Sequence, residues 1–410
     1  MWESFFDRMA RTIVQRGALT VTYPNGTSQS YGDGTGTPAH IRLRDETTMR
    51  RLILNPELAV GECYMDGGLT IDDDDLRGFL AVVLRNTSRG RNTGIQIWLG
   101  RLRTLIRTAR QWNPMGTAQR NVAHHYDLSG ALYDLFLDTD KQYSCAYFRD
   151  PGDTLEAAQA QKKAHIAGKL LIEPGMRVLD IGCGWGGLGL TLARDHGAQV
   201  LGVTLSEEQH KIATARAEAE GLSDRVEFRL ADYRTVTDRF DRVVSVGMFE
   251  HVGVPHYREY FNNVRARLTD DGIALIHTIG RTSPPGHTSP WIAKYIFPGG
   301  YIPSLSEVMK AVEREGLYTC DIEVWRLHYA ETLRNWEERF SANRDRVAEL
   351  YDDRFCRMWR FYLIASEMTF RHNNQCVFQF QLARRQEAVP LTRDYLYRGP
   401  EAERMHHAAE

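Results

Sequence analysis

The sequence has no excess of either charge. It carries 51 Lys and Arg against 53 Asp and Glu, for a net charge of -2 over 410 residues, which argues against a global nucleic-acid footprint. Its six cysteines (Cys63, Cys145, Cys183, Cys320, Cys356 and Cys376) form no C-x-x-C pair, so neither a zinc site nor a disulfide framework is indicated. No stretch of about 18 apolar residues occurs, which excludes a helical membrane span. The amino terminus, Met1-Trp-Glu-Ser-Phe-Phe-Asp-Arg, includes an acid and lacks a sustained apolar run, unlike a signal peptide. A cytoplasmic protein is expected. The length suits two domains, or one with large additions, and a sizeable core.

One absence is local. No acid occurs between Leu76 and Val122, and within that stretch Ile95, Trp98, Leu99, Leu102, Leu105, Ile106, Ala109 and Trp112 fall at helical one-face spacing. Arg101, Arg103, Arg107 and Arg110 occupy other positions. Such a helix suits a membrane interface, although amphipathic helices more often pack on a neighbouring domain. Asn113-Pro-Met-Gly-Thr117 then reads as a linker.

The chain on either side of this helix differs in rhythm. Before it, Asn25-Gly26 marks a hairpin, residues 41–44 alternate like a strand, and residues 46–54 and 76–84 read as helices. The acids Asp72 to Asp75 suit the positive end of the second helix. Residues 1–115 are therefore expected to form a small α+β domain. After the linker, short apolar runs at 176–181, 199–205, 226–230, 242–246 and 273–278 alternate with helical segments such as 206–221 and 256–268. That rhythm predicts a doubly wound parallel sheet over residues 121–390, followed by a tail at 391–410. The alternating run 377–382 predicts an edge strand with one solvated face. Segments 281–304 and 331–370 are expected to roof the sheet's carboxyl edge.

Ligands of open α/β sheets bind beyond the carboxyl ends of the strands, so the strand exits carry the chemistry. The first exit is a glycine turn, Val178-Leu-Asp-Ile-Gly-Cys-Gly-Trp-Gly-Gly-Leu188. Its spacing is not G-x-G-x-x-G, and no carboxylate ends the next strand, so no dinucleotide is implied. It looks like the S-adenosylmethionine (SAM) turn of methyltransferases. At the second exit Gln209 can reach a ribose, but Ser206-x-x-Gln209 is also a capping box. At the third, Asp232 can bond an adenine amino group and Tyr233 can stack on the ring. Glu250 and His277 leave neighbouring strands at the same edge and form a candidate base pair or anion relay. His124-His125 has no third ligand at metal spacing, and no metal is expected. Cys145 has no base nearby in sequence and is not assigned as a nucleophile.

Taken in order, several motifs resemble those of the cyclopropane-fatty-acyl-phospholipid synthases, which include the mycolic-acid cyclopropane synthases. They are His125-Tyr-Asp-Leu-Ser129, Tyr143-Ser-Cys-Ala-Tyr-Phe148, the glycine turn, Gly202-Val-Thr-Leu-Ser206, Val246-Gly-Met-Phe-Glu-His-Val-Gly253, His277-Thr-Ile279, Lys294-Tyr-Ile-Phe-Pro-Gly299 and His328-Tyr-Ala-Glu-Thr-Leu-Arg-Asn-Trp336. Gly61-Glu-Cys-Tyr-Met-Asp-Gly67 further looks like the long bacterial form, with its extra amino-terminal domain.

The resemblance implies a Rossmann-like class I SAM methyltransferase sheet with helical cap additions. It assigns Tyr143, Ser144, Gly182, Gly184, Gly186, Thr204, Leu205, Gln209, Asp232 and Tyr233 to SAM. It also implies a bicarbonate ion as base, held by the side chains of Glu250, His277 and Tyr329 and by the main chain of Cys145 and Ile279. The implied reaction is methylene transfer to the cis double bond of an unsaturated phospholipid, on a peripherally bound homodimer at the inner face of the membrane. Tyr143, Tyr147, Phe148, Phe249 and Tyr329 are candidates to stabilise a carbocation. A related reaction giving a mid-chain methyl or methylene branch stays open. So do a SAM-binding lipid carrier and a small-molecule methyltransferase.

Overall fold

The computed structural model of the protein describes residues 1–87 and 130–397. The predicted basic helix at 95–112, the linker, His124-His125 and the end of the tail lie outside the described residues.

The amino-terminal unit begins with α1 (Trp2–Ile13), whose Phe6 and Ala10 are buried. Its four-stranded sheet comprises β1 (Leu19–Thr22), β2 (Ser28–Tyr31), β3 (Ala39–Leu43) and β4 (Leu69–Ile71), ordered β2-β1-β3-β4. The Asn25-Gly26 turn joins β1 and β2 antiparallel, with Asn25 Oδ1 accepting from Thr27 N at 2.9 Å. Two helices follow β3: α2 (Glu46–Leu54), capped by Asp45, and α3 (Pro56–Met65), opened by a proline. Of the four acids in the 72–75 run, Asp75 does the capping. Its Oδ1 accepts from Gly78 N at 2.9 Å in the first turn of α4 (Leu76–Thr87).

The larger unit starts with the short helix α5 (Gly130–Asp134) and α6 (Leu155–Leu170). Strands and helices then alternate: β5 (Arg177–Ile181), α7 (Gly187–His196), β6 (Gln199–Thr204), α8 (Glu207–Ala219), β7 (Val226–Leu230), β8 (Phe240–Val246), α9 (Tyr257–Arg267) and β9 (Leu268–Arg281). The chain continues through α10 (Pro290–Tyr295), α11 (Leu305–Arg314), β10 (Tyr318–Trp325), α12 (His328–Ala342), α13 (Arg344–Leu350), α14 (Asp353–His372) and β11 (Gln375–Ala383). The seven strands are ordered β10-β11-β9-β8-β5-β6-β7. From β7 to β9 every neighbouring pair is parallel, whereas β11 runs antiparallel to both β9 and β10.

Alternation along the strands builds two cores. Val178, Val200, Val244 and Leu275 point to the face covered by α6, α7 and α8. Leu179, Leu201, Val243 and Ile276 point to the face covered by α9 and α11. This is the expected doubly wound α/β sheet.

The expectation for residues 377–382 is overturned. β11 lies between β9 and β10 and is buried along nearly its whole length, and β10 takes the edge. Its polar positions do not face water. Gln379 Nε2 donates to His277 Nδ1 at 3.1 Å, and Gln381 Nε2 donates to Lys169 O at 2.6 Å. Hydrogen bonding compensates the burial of these amides, so their alternation resembles that of a solvated strand.

Helices α12 and α14 roof the sheet, and the amino-terminal unit docks on that roof. Arg77 of α4 meets Glu367 at 2.8 Å and Glu337 at 2.6 Å, both buried carboxylates. A Cβ added at Gly61 of α3 would stand 2.3 Å from Trp291 Nε1 and 2.8 Å from Phe361, so only glycine permits this approach. Glu62 accepts from Lys294 Nζ at 2.6 Å and from Tyr295 OH at 2.9 Å. Among the described residues no helix is long and apolar enough to cross a membrane.

Candidate active site

The turn after β5 is fixed before any ligand arrives. Gly182 N and Cys183 N both donate to Val203 O, at 2.9 and 3.1 Å, tying the turn to the exit of β6. Gly182 has φ +81°, and an added Cβ would press on Met248 at 3.0 Å. Gly186 has φ +85° and caps α7; a Cβ there would stand 2.7 Å from Phe228 and 3.0 Å from Ala213. Bare backbone is therefore required on both sides of the turn, which leaves a cradle above the strand ends.

Tyr143, Ser144, Gly182, Gly184, Thr204, Leu205, Gln209, Asp232 and Tyr233 line one cavity over that cradle. Gly186 does not line it; it sits beneath, packed on Phe228. The capping box at α8 is only half formed. Gln209 N donates to Ser206 Oγ at 3.3 Å, but Gln209 Oε1 accepts from Thr204 Oγ1 at 2.9 Å instead of binding back to Ser206. The Gln209 amide therefore faces the cavity. Asp232 is clasped by Arg234, whose Nη2 donates to Oδ2 at 2.6 Å, and it keeps acceptor capacity because a carboxylate has about four lone-pair sites. Burial of the Tyr233 phenol pushes its ionisation well upward.

The sequence reading missed several cavity residues: Gln142, Lys162, Asp180, Trp185, Met248 and His251. Gln159 and Lys162 sit one turn apart on α6 and hold the segment 142–144. Gln159 Nε2 donates to Gln142 O and Ser144 O at 3.2 and 3.0 Å, and Lys162 Nζ donates to Gln142 Oε1 and Ser144 Oγ at 2.6 and 2.7 Å. Two polar residues at i, i+3 on the helix face that also carries Leu155, Ala158 and Ile166 were the available signal.

A second cluster adjoins the cavity without lining it. Glu250 lies in a single 3-10 turn after β8. Its Oε1 accepts from Ile279 N at 2.6 Å, while Oε2 is buried and has no hydrogen-bond partner among the described residues. Burial pushes this carboxyl up to about 7, against the Ile279 hydrogen bond that favours the charged form. His277, two residues before Ile279 on β9, is held well below its ordinary value, first by burial and then by Lys162. It is a neutral imidazole whose Nδ1 accepts from Gln379, which leaves the proton on Nε2.

Cys145 is buried and its thiol is pushed upward by that burial, so it is no thiolate; Sγ donates to Ala146 O at 3.3 Å. Ala146 N donates to Thr332 Oγ1 at 3.0 Å, one turn along α12 from Tyr329. The Tyr329 ring packs on Trp336 and Phe370, with centroids 5.9 and 5.1 Å away. The structure thus bonds Glu250 directly to Ile279 and links Cys145 to the Tyr329 helix. Ile279, whose main chain was expected to serve an anion, has its N–H engaged by Glu250.

The aromatic candidates divide. Tyr143 stacks on Trp336 at 5.1 Å and its hydroxyl meets that of Tyr362 at 3.1 Å. Tyr147 is sandwiched between His165 and His328, and Phe249 is stacked on Tyr257 at 4.4 Å inside the core.

Comparison with known proteins adds to this geometry. Residues 115–380 match the family model described as mycolic acid cyclopropane synthetase, and residues 4–90 match a domain of unknown function. The chain is 38% identical over 385 residues to the cyclopropane-fatty-acyl-phospholipid synthase of Escherichia coli (strain K12), spanning 92% of this chain and 93% of that protein. It is 36% identical over 391 residues to the tuberculostearic acid methyltransferase UfaA1 of Mycobacterium tuberculosis, spanning 92% and 90%. The solved structure of mycolic acid cyclopropane synthase CmaA1, complexed with SAH and CTAB, is similar with a TM-score of 0.62 at 31% identity, covering 66% of this chain and 99% of that one.

Proposed function

The chain belongs to the mycolic acid cyclopropane synthetase family of SAM-dependent enzymes, built on the class I methyltransferase sheet, and from that membership we propose that it cyclopropanates the cis double bonds of unsaturated phospholipid acyl chains. The observation that carries the reading is Glu250: a buried carboxyl with one oxygen bonded and the other unpartnered, beside the strand that carries His277.

SAM supplies an electrophilic methyl on a sulfonium, and bicarbonate, when bound, supplies an oxygen base. The residues present fit both groups. The glycine cradle admits the cofactor, with Tyr143, Ser144, Gly182, Gly184, Thr204, Leu205, Gln209, Asp232 and Tyr233 around it. For the anion, Glu250, its carboxyl pushed up to about 7, would donate from Oε2 when protonated, and His277 would donate from Nε2. Tyr329 and the main chain of Cys145 complete the proposed set, and Ile279 N holds Glu250 in place.

An alkene is a poor nucleophile, so its attack on a methyl group needs alignment and exclusion of water. Tyr143 and Tyr329 present aromatic faces that stabilise positive charge developing on the acyl chain. Loss of a proton from the added methyl then closes the ring. Hydrogen bonds from Glu250 and His277 orient the base that takes it. We place catalysis in residues 121–390 and a membrane or dimerisation role in residues 1–115, with the enzyme on the cytoplasmic face of the membrane as a homodimer.

The similarity to a tuberculostearic acid methyltransferase keeps a methyl-branched product as a second reading. Lipid analysis after expression with unsaturated phospholipid decides. Addition of one methylene with loss of the olefin, and cyclopropyl proton signals, is the expected outcome. A saturated methyl branch without ring signals would establish the second reading, and unmodified lipid would exclude both.

A further inference from the structure

Asn86, near the end of α4, is 1% exposed and its amide is fully bonded. Its Oδ1 accepts from Gln15 N and Arg16 N at 3.0 and 3.1 Å, and its Nδ2 donates to Arg16 O and Val82 O at 2.8 Å. The chain leaving α1 is thereby clamped to α4, which brings Arg16 and Arg85 to the wall of one cavity. Gly17 follows with φ +93°, and an added Cβ there would meet Val82 at 3.3 Å. Asp33 fixes the facing loop, its Oδ1 accepting from Gly17 N at 2.9 Å and from Thr35 N at 3.1 Å.

The cavity has a volume of about 480 Å³ and lies where the amino-terminal unit meets the end of α14. Four of its lining side chains are basic, Arg16, Arg85, Arg371 and His372, and among the described residues no acid lines it. Cations in the last turn of a helix offset its negative end, which accounts for Arg85 on α4 and for Arg371 and His372 on α14, one helix at a time. It does not account for their convergence with Arg16, which comes from a loop. The local field is positive even so. The His372 imidazole is held below its ordinary value, first by burial and then by Arg85 and Arg371. Arg371 is fixed at the wall by Glu331 and Glu367, both at 2.9 Å. Converging guanidinium groups suit a phosphate, whose oxygens accept paired N–H donors.

We propose that this cavity binds a phosphate ester, and that its occupant is the headgroup phosphate of the phospholipid substrate. The phosphate chemistry follows from the basic wall alone, whereas the lipid as its source rests on the proposed function. Two contacts support that source. Phe370 directly precedes Arg371 and packs on Tyr329 with centroids 5.1 Å apart, and Glu331 stands two residues from Tyr329 on α12. The basic cavity and the site proposed for the acyl chain thus share two helices.

Calorimetry tests the site with inorganic phosphate, with dihexanoyl phosphatidylglycerol below its micelle concentration, and with dihexanoylglycerol, which lacks the phosphate. Arg16 and Arg85 are exposed, so the double variant Arg16→Gln, Arg85→Gln disturbs the core least. It is expected to weaken inorganic phosphate and the phospholipid by at least about 10-fold, the loss for hydrogen bonds to a charged group, and to leave dihexanoylglycerol within about twofold of wild type. Phosphate binding undiminished in the variant, or absent in wild type, would overturn the site. Weakened phosphate with unchanged phospholipid affinity would overturn the lipid assignment in favour of a free phosphate ester. A measurement on the unaltered protein guards against a variant that fails to fold: wild type must bind the phospholipid at least about 10-fold more tightly than dihexanoylglycerol. Equal affinities overturn the headgroup assignment without any variant. Failure of wild type to modify unsaturated phospholipid would instead sink the proposed reaction and leave the phosphate titration to decide the site.

Discussion

Gly186 shows how much one absent carbon determines. The left-handed backbone at φ +85° costs a residue with a side chain roughly 1–2 kcal/mol, and the new Cβ would lie 2.7 Å from Phe228. Overpacking adds about 1–3 kcal/mol. Gly186→Ala should therefore lower the unfolding free energy by roughly 2–5 kcal/mol in a denaturant titration, although the residue does not line the cavity. At Glu250 the sign of the pH dependence follows from burial. Its folded value of about 7 exceeds the ordinary 4.5, so the fold favours the protonated form. That contribution is complete below the unfolded value and is lost as pH rises through about 7. Glu250→Gln, which cannot ionise, should gain in Tm relative to wild type between pH 5 and pH 8 and should lose cyclopropanation; a pH-independent Tm difference would contradict the burial argument. The residues legible in the sequence are those at strand exits, such as Gly182, Gln209, Glu250 and His277, because topology fixes where exits lie. Lys162 and Asp180 were not legible. A lysine on a helix reads as solvated and an aspartate within a strand reads as a defect, until tertiary packing buries them at one cavity.

Among the elements, strands β5, β6, β8 and β9 were readable because parallel strands buried on both faces are largely apolar runs, whereas β7, at the sheet edge, alternates buried and exposed residues. β11 was misread because its glutamines mimic a solvated face while bonding His277 and the α6 backbone. α1 and α3 escaped notice, although Trp2, Phe6, Met9, Ala10 and Ile13 form a helical stripe that packs on the core. The docking of α4 on α12 and α14 is bridged by Arg77 between Glu337 and Glu367, whose side chains are 3% and 2% exposed. Arg360 and Arg371 each pair with one of these glutamates at 2.9 Å, so removing Arg77 does not strand them fully. Arg77→Met should cost about 1–3 kcal/mol in chemical denaturation, below the 3–5 typical of a buried pair broken outright. No change would mean that the α4–α14 contact rests on its apolar residues alone.

At the scale of the whole molecule, the amino-terminal unit and the roof share one hydrophobic core, running from Phe6 and Tyr64 to Trp291 and Phe361. The two sheets were legible as separate rhythms, but their joining was not, since Gly61 announces no partner in sequence. The arginine-rich segment at 95–112 lies between the two units in sequence, and we propose for it a role at the membrane surface that holds the proposed phospholipid substrate. Reversing the charge of Arg101, Arg103 and Arg107 should weaken sedimentation with anionic vesicles, each lost charge being worth about 1 kcal/mol near such a surface. Unchanged sedimentation at low salt would return that segment to a packing role.

The position of β11 also sets an order of events at the ribosome. Among the described residues β10 pairs only with β11, and β9 meets β11 directly. Until residues 375–383 have emerged, two strand edges of the nascent chain stay unpaired, and the imidazole of His277 lacks the amide that fixes its tautomer. The central sheet therefore closes late in synthesis, and a chain halted before that strand carries the glycine cradle without a finished base site.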